Sequence, residues 1–109
     1  MDREYLMLIV SNNIKLIRKE KQFSQAKMAE LLGITKKKLN QIEKNRSFAN
    51  WTTTIAICLL FRDHAILREK IGGDPLEKIE SILSERFIPL PDIPIDLPFS
   101  SRITAFIQS

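Results

Sequence analysis

Apolar side chains recur along this chain with two rhythms. Leu6, Val10, Ile14 and Ile17 follow one another at steps of four, four and three, one stripe of a 3.6-residue period. That spacing predicts a first helix capped by Asp2, with Ser11-Asn12-Asn13 as a point where it could break in two. Phe23 and Ser24 then precede Gln25–Leu32, a run of good helix formers. Ser24 is the natural N-cap, Phe23 is placed to staple onto Met28, and Gly33 offers the left-handed residue that closes a helix. Two residues on, Thr35 caps Lys36–Glu43, whose Leu39 and Ile42 face inward at i and i+3. The pattern predicts two short helices joined by one tight glycine turn.

Further along, Asn50 caps Trp51–Phe61, the most apolar stretch and the expected core helix. His64–Ile71 reads as another helix, ended by Gly72-Gly73. Asp74-Pro75-Leu76-Glu77 forms a capping box with proline at the first helical position. It opens an amphipathic helix with Leu76, Ile79, Ile82, Leu83 and Phe87 on one stripe. From Pro89 the rhythm changes. Prolines at 89, 91, 94 and 98 exclude helix interior and central strand alike, yet Ile93, Ile95, Leu97 and Phe99 alternate with Pro94, Asp96 and Pro98. An extended arm with one apolar edge fits, and Ser101 is placed to cap a short last turn containing Ile103, Phe106 and Ile107. The expected architecture is all-α, a bundle of five or six helices with an extended proline-rich C-terminal arm. Residues 1–73 form the expected first domain and 74–109 a C-terminal helix and arm.

Composition narrows what such a bundle does. The chain has 109 residues, 44% hydrophobic and 28% charged, as in a soluble folded domain. Its longest unbroken apolar run, Ile55–Phe61, has seven residues where a membrane helix needs about 20. Tyr5–Val10 is shorter and follows Asp2 and Glu4, so a secretory signal is not expected. One cysteine (Cys58) and one histidine (His64) exclude a disulfide framework, a multi-cysteine zinc site and a histidine-rich metal cluster. No phosphate loop of Walker type and no HExxH pair is present. A cytoplasmic binding protein without cofactor or metal is expected, not an enzyme.

The net charge of +4 is unevenly spread. From Ile14 to Arg46 ten Lys/Arg face three acids, a net of +7; from Asp63 to Ser109 five Lys/Arg face eight acids, a net of −3. A basic front half is what a polyanion partner calls for. Lys36, Lys37 and Lys38 fill the first turn of the third predicted helix, where cations cost roughly 0.3–1 kcal/mol each against the helix dipole. Phosphate oxygens or guanine edges would turn that cost into binding energy.

Helix, glycine turn, helix is the spacing of a helix-turn-helix. From Ile14 to Phe61 the chain resembles the Cro/CI-type (Xre-type) helix-turn-helix regulators, whose lambda-repressor-like bundle it is expected to share. Arg18, Ser24-Gln25, Ala29, Gly33, Leu39 and Ile42-Glu43 stand at the family spacing. Lys44-Asn45 departs from it, because the family commonly has glycine at the second position; asparagine also tolerates positive φ. Arg62-Asp63 stands where the family has a glycine after the core helix. The resemblance implies that helix 36–43 enters the major groove, with Lys36, Lys37 and Gln41 reading bases and Asn40 as a fourth reader. Gln41 lies five positions after Lys36 and four after Lys37, which we expect to set all three on one side. Ser24, Gln25, Thr35, Lys38, Lys44, Asn45 and Arg46 take the phosphate contacts. The resemblance also implies a buried ion pair between Arg18 and Glu43.

Cys58 reads as a buried thiol, His64 as a local contact and Trp51 as a core or helix-start anchor. The expected function is a sequence-specific DNA-binding transcriptional regulator, a repressor, with double-stranded DNA as partner. The rival is an antitoxin-like or adaptor module that docks onto a second protein and binds DNA secondarily. One reading unit covers a half-site, so a homodimer is expected. Its interface is assigned to Leu76, Ile79, Ile82, Leu83, Phe87, Ile93, Ile95, Leu97 and Phe99, the alternative being that the arm lies across its own domain; the dimer assignment implies that a chain ended at Gly73 stays a folded monomer.

Overall fold

Among the described residues, six helices follow one another in the order α1 (Arg3–Glu20), α2 (Gln25–Leu32), α3 (Lys36–Glu43), α4 (Trp51–Leu60), α5 (Ala65–Ile71) and α6 (Pro75–Arg86). The structure, a computed structural model, describes residues 1–86. The expected arm, with Phe87, Ile93, Ile95, Leu97 and Phe99, lies outside the described residues. Among these the fold is all-α, with no strand.

Local chemistry explains where the helices begin. Asp2, Ser24, Thr35 and Asn50 each accept the backbone N–H three residues on, satisfying one of the donors a helix start leaves open. His64 caps α5 in the same spirit, its Nδ1 accepting the Ile66 N–H at 3.3 Å. Helix ends are closed by left-handed residues. Gly33 stands at φ 71° and Asn45 at φ 60°; after each, a 6→1 backbone bond (Ile34 N–H to Ala29 O, Arg46 N–H to Gln41 O) completes the cap. Asparagine thus holds the conformation for which glycine is commoner. Gln22, at φ 61°, closes α1 the same way without any such preference. After α4 no left-handed residue is needed, since Phe61 lies at φ −115°; Arg62-Asp63 therefore fits where glycine was expected.

The Ser11-Asn12-Asn13 step does not break α1. Asn13 donates to the Ile9 carbonyl at 2.8 Å, and buried Ser11 accepts the Ala49 N–H at 2.8 Å, so the polar side chains are satisfied without disturbing the helix. α1 is the axle of the bundle and packs against α3, α4 and α5, while α2 rests on α3 and α4. Leu6, Val10, Ile14, Ile17, Met28, Leu39 and Ile57 are fully buried in one core.

That core takes in α6, which packs against α4 and α5. Leu76, Ile79 and Ile82, assigned from sequence to a dimer interface, are each 2% exposed in the protein's own interior, and Leu83 packs partly buried against the same cluster. The stripe is therefore a core face. An apolar stripe does not say which surface covers it, and here α4 and α5 supply one within the chain. Position 73 is accordingly no boundary between separate cores, and a chain ended there would expose this interior. Arg62 and Asp74 clamp the junction with a bidentate ion pair at 2.7 and 3.1 Å, and Asp74 also accepts the Leu76 N–H at 3.1 Å. The guanidinium holds the Asp74 carboxyl below the usual carboxylate range, more than burial raises it.

Candidate nucleic-acid interface

Leu39 and Ile42 are buried at no more than 1% exposure, and they orient α3. At about 100° per residue, the side opposite them carries Lys37, Asn40, Gln41 and Lys44, an i, i+3, i+4, i+7 set. Lys37 and Lys44 are exposed, Asn40 and Gln41 half-buried. Lys36 is exposed too, but it lies about 140° from Gln41 around the helix. The expectation that Lys36, Lys37 and Gln41 share one side is corrected on this point: five residues is nearly one and a half turns. Lys36 stands on the flank towards Glu43, while Lys37 and Gln41 share the outward face.

The first turn of α3 contains no acid, so its three lysines meet open N–H groups of the same sign. Lys38 is turned away from the outward face, and its ammonium donates to Ser47 Oγ at 2.6 Å. Nothing in the spacing pointed to Ser47 as its partner. The Ser24 and Thr35 hydroxyls accept their capping bonds, and each keeps its own proton to donate. Lys44, Asn45 and Arg46 are exposed beyond the end of α3. This leaves two helix N-termini, a flexible-stemmed cationic row and an exposed turn on the helix pair.

Behind that surface sits a polar network. Arg18 Nε and Nη2 donate to the two oxygens of Glu43 at 2.7 and 2.9 Å, and Nη1 donates to the Phe23 carbonyl at 2.9 Å. The side chains are 12% and 3% exposed. The hydrogen bond to Glu43 raises the Arg18 pKa above its ordinary value, against the opposing effect of burial. Gln25, expected at a phosphate, is half-buried, and its Nε2 lies 3.2 Å from Glu43 Oε1 and 3.3 Å from Asn40 Oδ1. The structure thus joins Arg18, Glu43, Gln25 and Asn40, which the sequence reading had divided among three separate roles.

The other singled-out residues are internal. Burial pushes the Cys58 thiol up to about 12, so it stays protonated and unreactive. Trp51 takes the Arg3 guanidinium over its ring at 5.7 Å, and His64 packs edge-on against Phe61. Among the described residues there is no group of three metal-ligating side chains. No helix there is long and apolar enough to cross a membrane.

Comparison with known families matches residues 12–64 to the model of a helix-turn-helix domain. This segment is similar to a helix-turn-helix domain. Its helix pair is α2 and α3, joined through Gly33, and the match extends from the middle of α1 to the cap of α5. It agrees with the resemblance read from the sequence and points to a DNA-binding regulator. No curated protein and no solved structure matches the chain.

Proposed function

We propose that the protein is a sequence-specific DNA-binding transcriptional regulator, a repressor, that seats α3 in the major groove of double-stranded DNA. The outward face of α3 carries the reading: Lys37, Asn40, Gln41 and Lys44 stand in one row at the helix that a helix-turn-helix domain presents to bases. Lys37 and Gln41 read base edges from that row, and Lys36 reaches from its flank. Ser24, Thr35, Lys38, Lys44, Asn45 and Arg46 hold the phosphates on either side. Two copies bind a near-palindromic operator in the cytoplasm, and the protein acts by binding, not by catalysis.

Selection from randomised duplex DNA, followed by salt titration, tests this reading. The wild type is expected to enrich one motif. Gln41→Ala should relax one or two base pairs of it at roughly 1–3 kcal/mol. Lys44→Ala should weaken all sequences alike and lower the salt slope by about one unit. Equal loss of operator and random DNA by Gln41→Ala would refute its role as a reader.

A second reading, the antitoxin-like or adaptor module, is favoured by one observation. Tyr5, Leu8 and Phe48 are 53%, 39% and 60% exposed, and Leu8 and Phe48 line a shallow groove with Glu4 and Met7. Co-purification of a second polypeptide that Phe48→Glu abolishes would support that module.

A further inference from the structure

Phe48 is 60% exposed, and its neighbours in the chain keep it so. Ser47 Oγ accepts the Lys38 ammonium at 2.6 Å, and the Ala49 N–H donates to Ser11 Oγ at 2.8 Å. Ala49 itself is 1% exposed. The chain is thus pinned on both sides of the ring, which is held out on the bundle surface. Glu4, Met7 and Leu8, at i, i+3 and i+4 on the first turns of α1, line a shallow groove with it, about 280 Å³ in volume. Three of these four side chains are apolar, and an apolar hollow held open in this way marks a docking surface.

The size of the groove selects its occupant. A stable contact between two folded proteins takes about 800 Å² from each, whereas four lining residues accommodate one extended segment. This chain carries such a segment. Ile93, Ile95, Leu97 and Phe99 alternate with Pro94, Asp96 and Pro98, so an extended backbone would set the four apolar side chains on one side and Asp92 and Asp96 on the other. Pro91, Pro94 and Pro98 have no N–H, which spares three donors a partner on an apolar surface with no strand alongside. The two acids carry the sign that Lys44 and Arg46 attract, both exposed in the turn that leads to Phe48. Reach is no obstacle: residues 87–99 extend to about 43 Å, and α1, the longest described helix, rises about 27 Å. We propose that the groove between α1 and Phe48 is the docking site of this chain's own residues 91–99, whose apolar edge lies against Met7, Leu8 and Phe48. The adaptor reading gives this groove to a second polypeptide; here the occupant comes from within the chain. Asp92 and Asp96 face water beside the Lys44-Asn45-Arg46 turn. The inference does not depend on DNA binding.

A nitroxide attached to the full chain through Ser101→Cys tests this by NMR. Buried Cys58, its thiol pushed up to about 12, does not take the label. The Met7, Leu8 and Phe48 signals should lose most of their intensity, and Leu59 and Leu60, at the other end of α4, should retain more of theirs. Phe48→Glu should restore the Met7 and Leu8 signals, and so should Ile95→Glu combined with Leu97→Glu. Leu8→Lys, at a side chain 39% exposed, replaces Phe48→Glu should the latter unfold. Isotope-labelled chains without nitroxide are then mixed with nitroxide-bearing chains without isotope, and the mixture should show no loss. Loss carried over into the mixture would assign the groove to a segment of a second copy and overturn the proposal. Loss that the groove variants leave in place, or loss centred on Leu59 and Leu60, would place the segment elsewhere and overturn it too. Undiminished Met7, Leu8 and Phe48 signals would do the same and leave the groove to a second polypeptide.

Discussion

Replacing Glu43 with alanine is expected to unfold a substantial fraction of this protein's stability. Arg18 would lose both charge-assisted bonds, at 2.7 and 2.9 Å, and keep only the Phe23 carbonyl. Its side chain is 12% exposed, so water replaces little of what is removed. Breaking such a pair from one side costs about 3–5 kcal/mol, against a total of about 5–15 for a domain of this kind. Arg18→Ala is expected to cost as much, because Glu43 is 3% exposed and would retain only the Gln25 amide. The two losses share one cause, a stranded buried charge, so the double variant Arg18→Ala with Glu43→Ala should cost less than the sum of its parts. A coupling of about 2–3 kcal/mol is expected. Urea denaturation of the four proteins, compared by midpoint at constant slope, measures this. Strict additivity, or a Glu43→Ala loss below about 1 kcal/mol, would refute the reasoning and return the two residues to independent surface charges.

Three further outcomes are expected. Gln22→Gly should stabilise, because Gln22 holds φ 61°, a conformation that costs a side chain roughly 1–2 kcal/mol; a lower melting temperature would contradict this. The Asp74 carboxyl ionises at lower pH in the folded protein than in the unfolded chain, so the unfolded chain binds more protons in acid. Its contribution is therefore present above about pH 4 and lost as pH falls through the folded value; Arg62 is 46% exposed, which limits the pair to about 1 kcal/mol. Asp74→Asn should flatten the acid limb of a stability profile, and an unchanged limb would exclude the clamp. A chain ended at Gly73 should lose cooperative thermal unfolding by circular dichroism, since three residues at 2% exposure contribute about 1.5–3 kcal/mol each, whereas one ended at Arg86 should keep it. A cooperative transition in the shorter chain at the full-length temperature would show that α6 is dispensable.

What the sequence determined by itself is what can be settled within a few residues. The caps at Asp2, Ser24, Thr35 and Asn50, the left-handed Gly33 and Asn45, and the helix pair around them all rest on bonds that span three to five positions. Such bonds are legible because residue type and spacing state the whole interaction. The same spacing, taken at 100° per residue, already separates Lys36 from Gln41. Tertiary structure decided the rest. Leu76, Ile79 and Ile82 make an apolar stripe in either setting, and only the position of α4 and α5 makes that stripe interior. Ser11 reads as a helix breaker until Ala49, 38 residues away, brings it an N–H to accept. Gln25 reads as a phosphate ligand until α3 sets Asn40 and Glu43 within reach, 15 and 18 residues on. In each case the group's chemistry is written in the chain, but its partner is not, because which distant groups meet follows from how the helices pack.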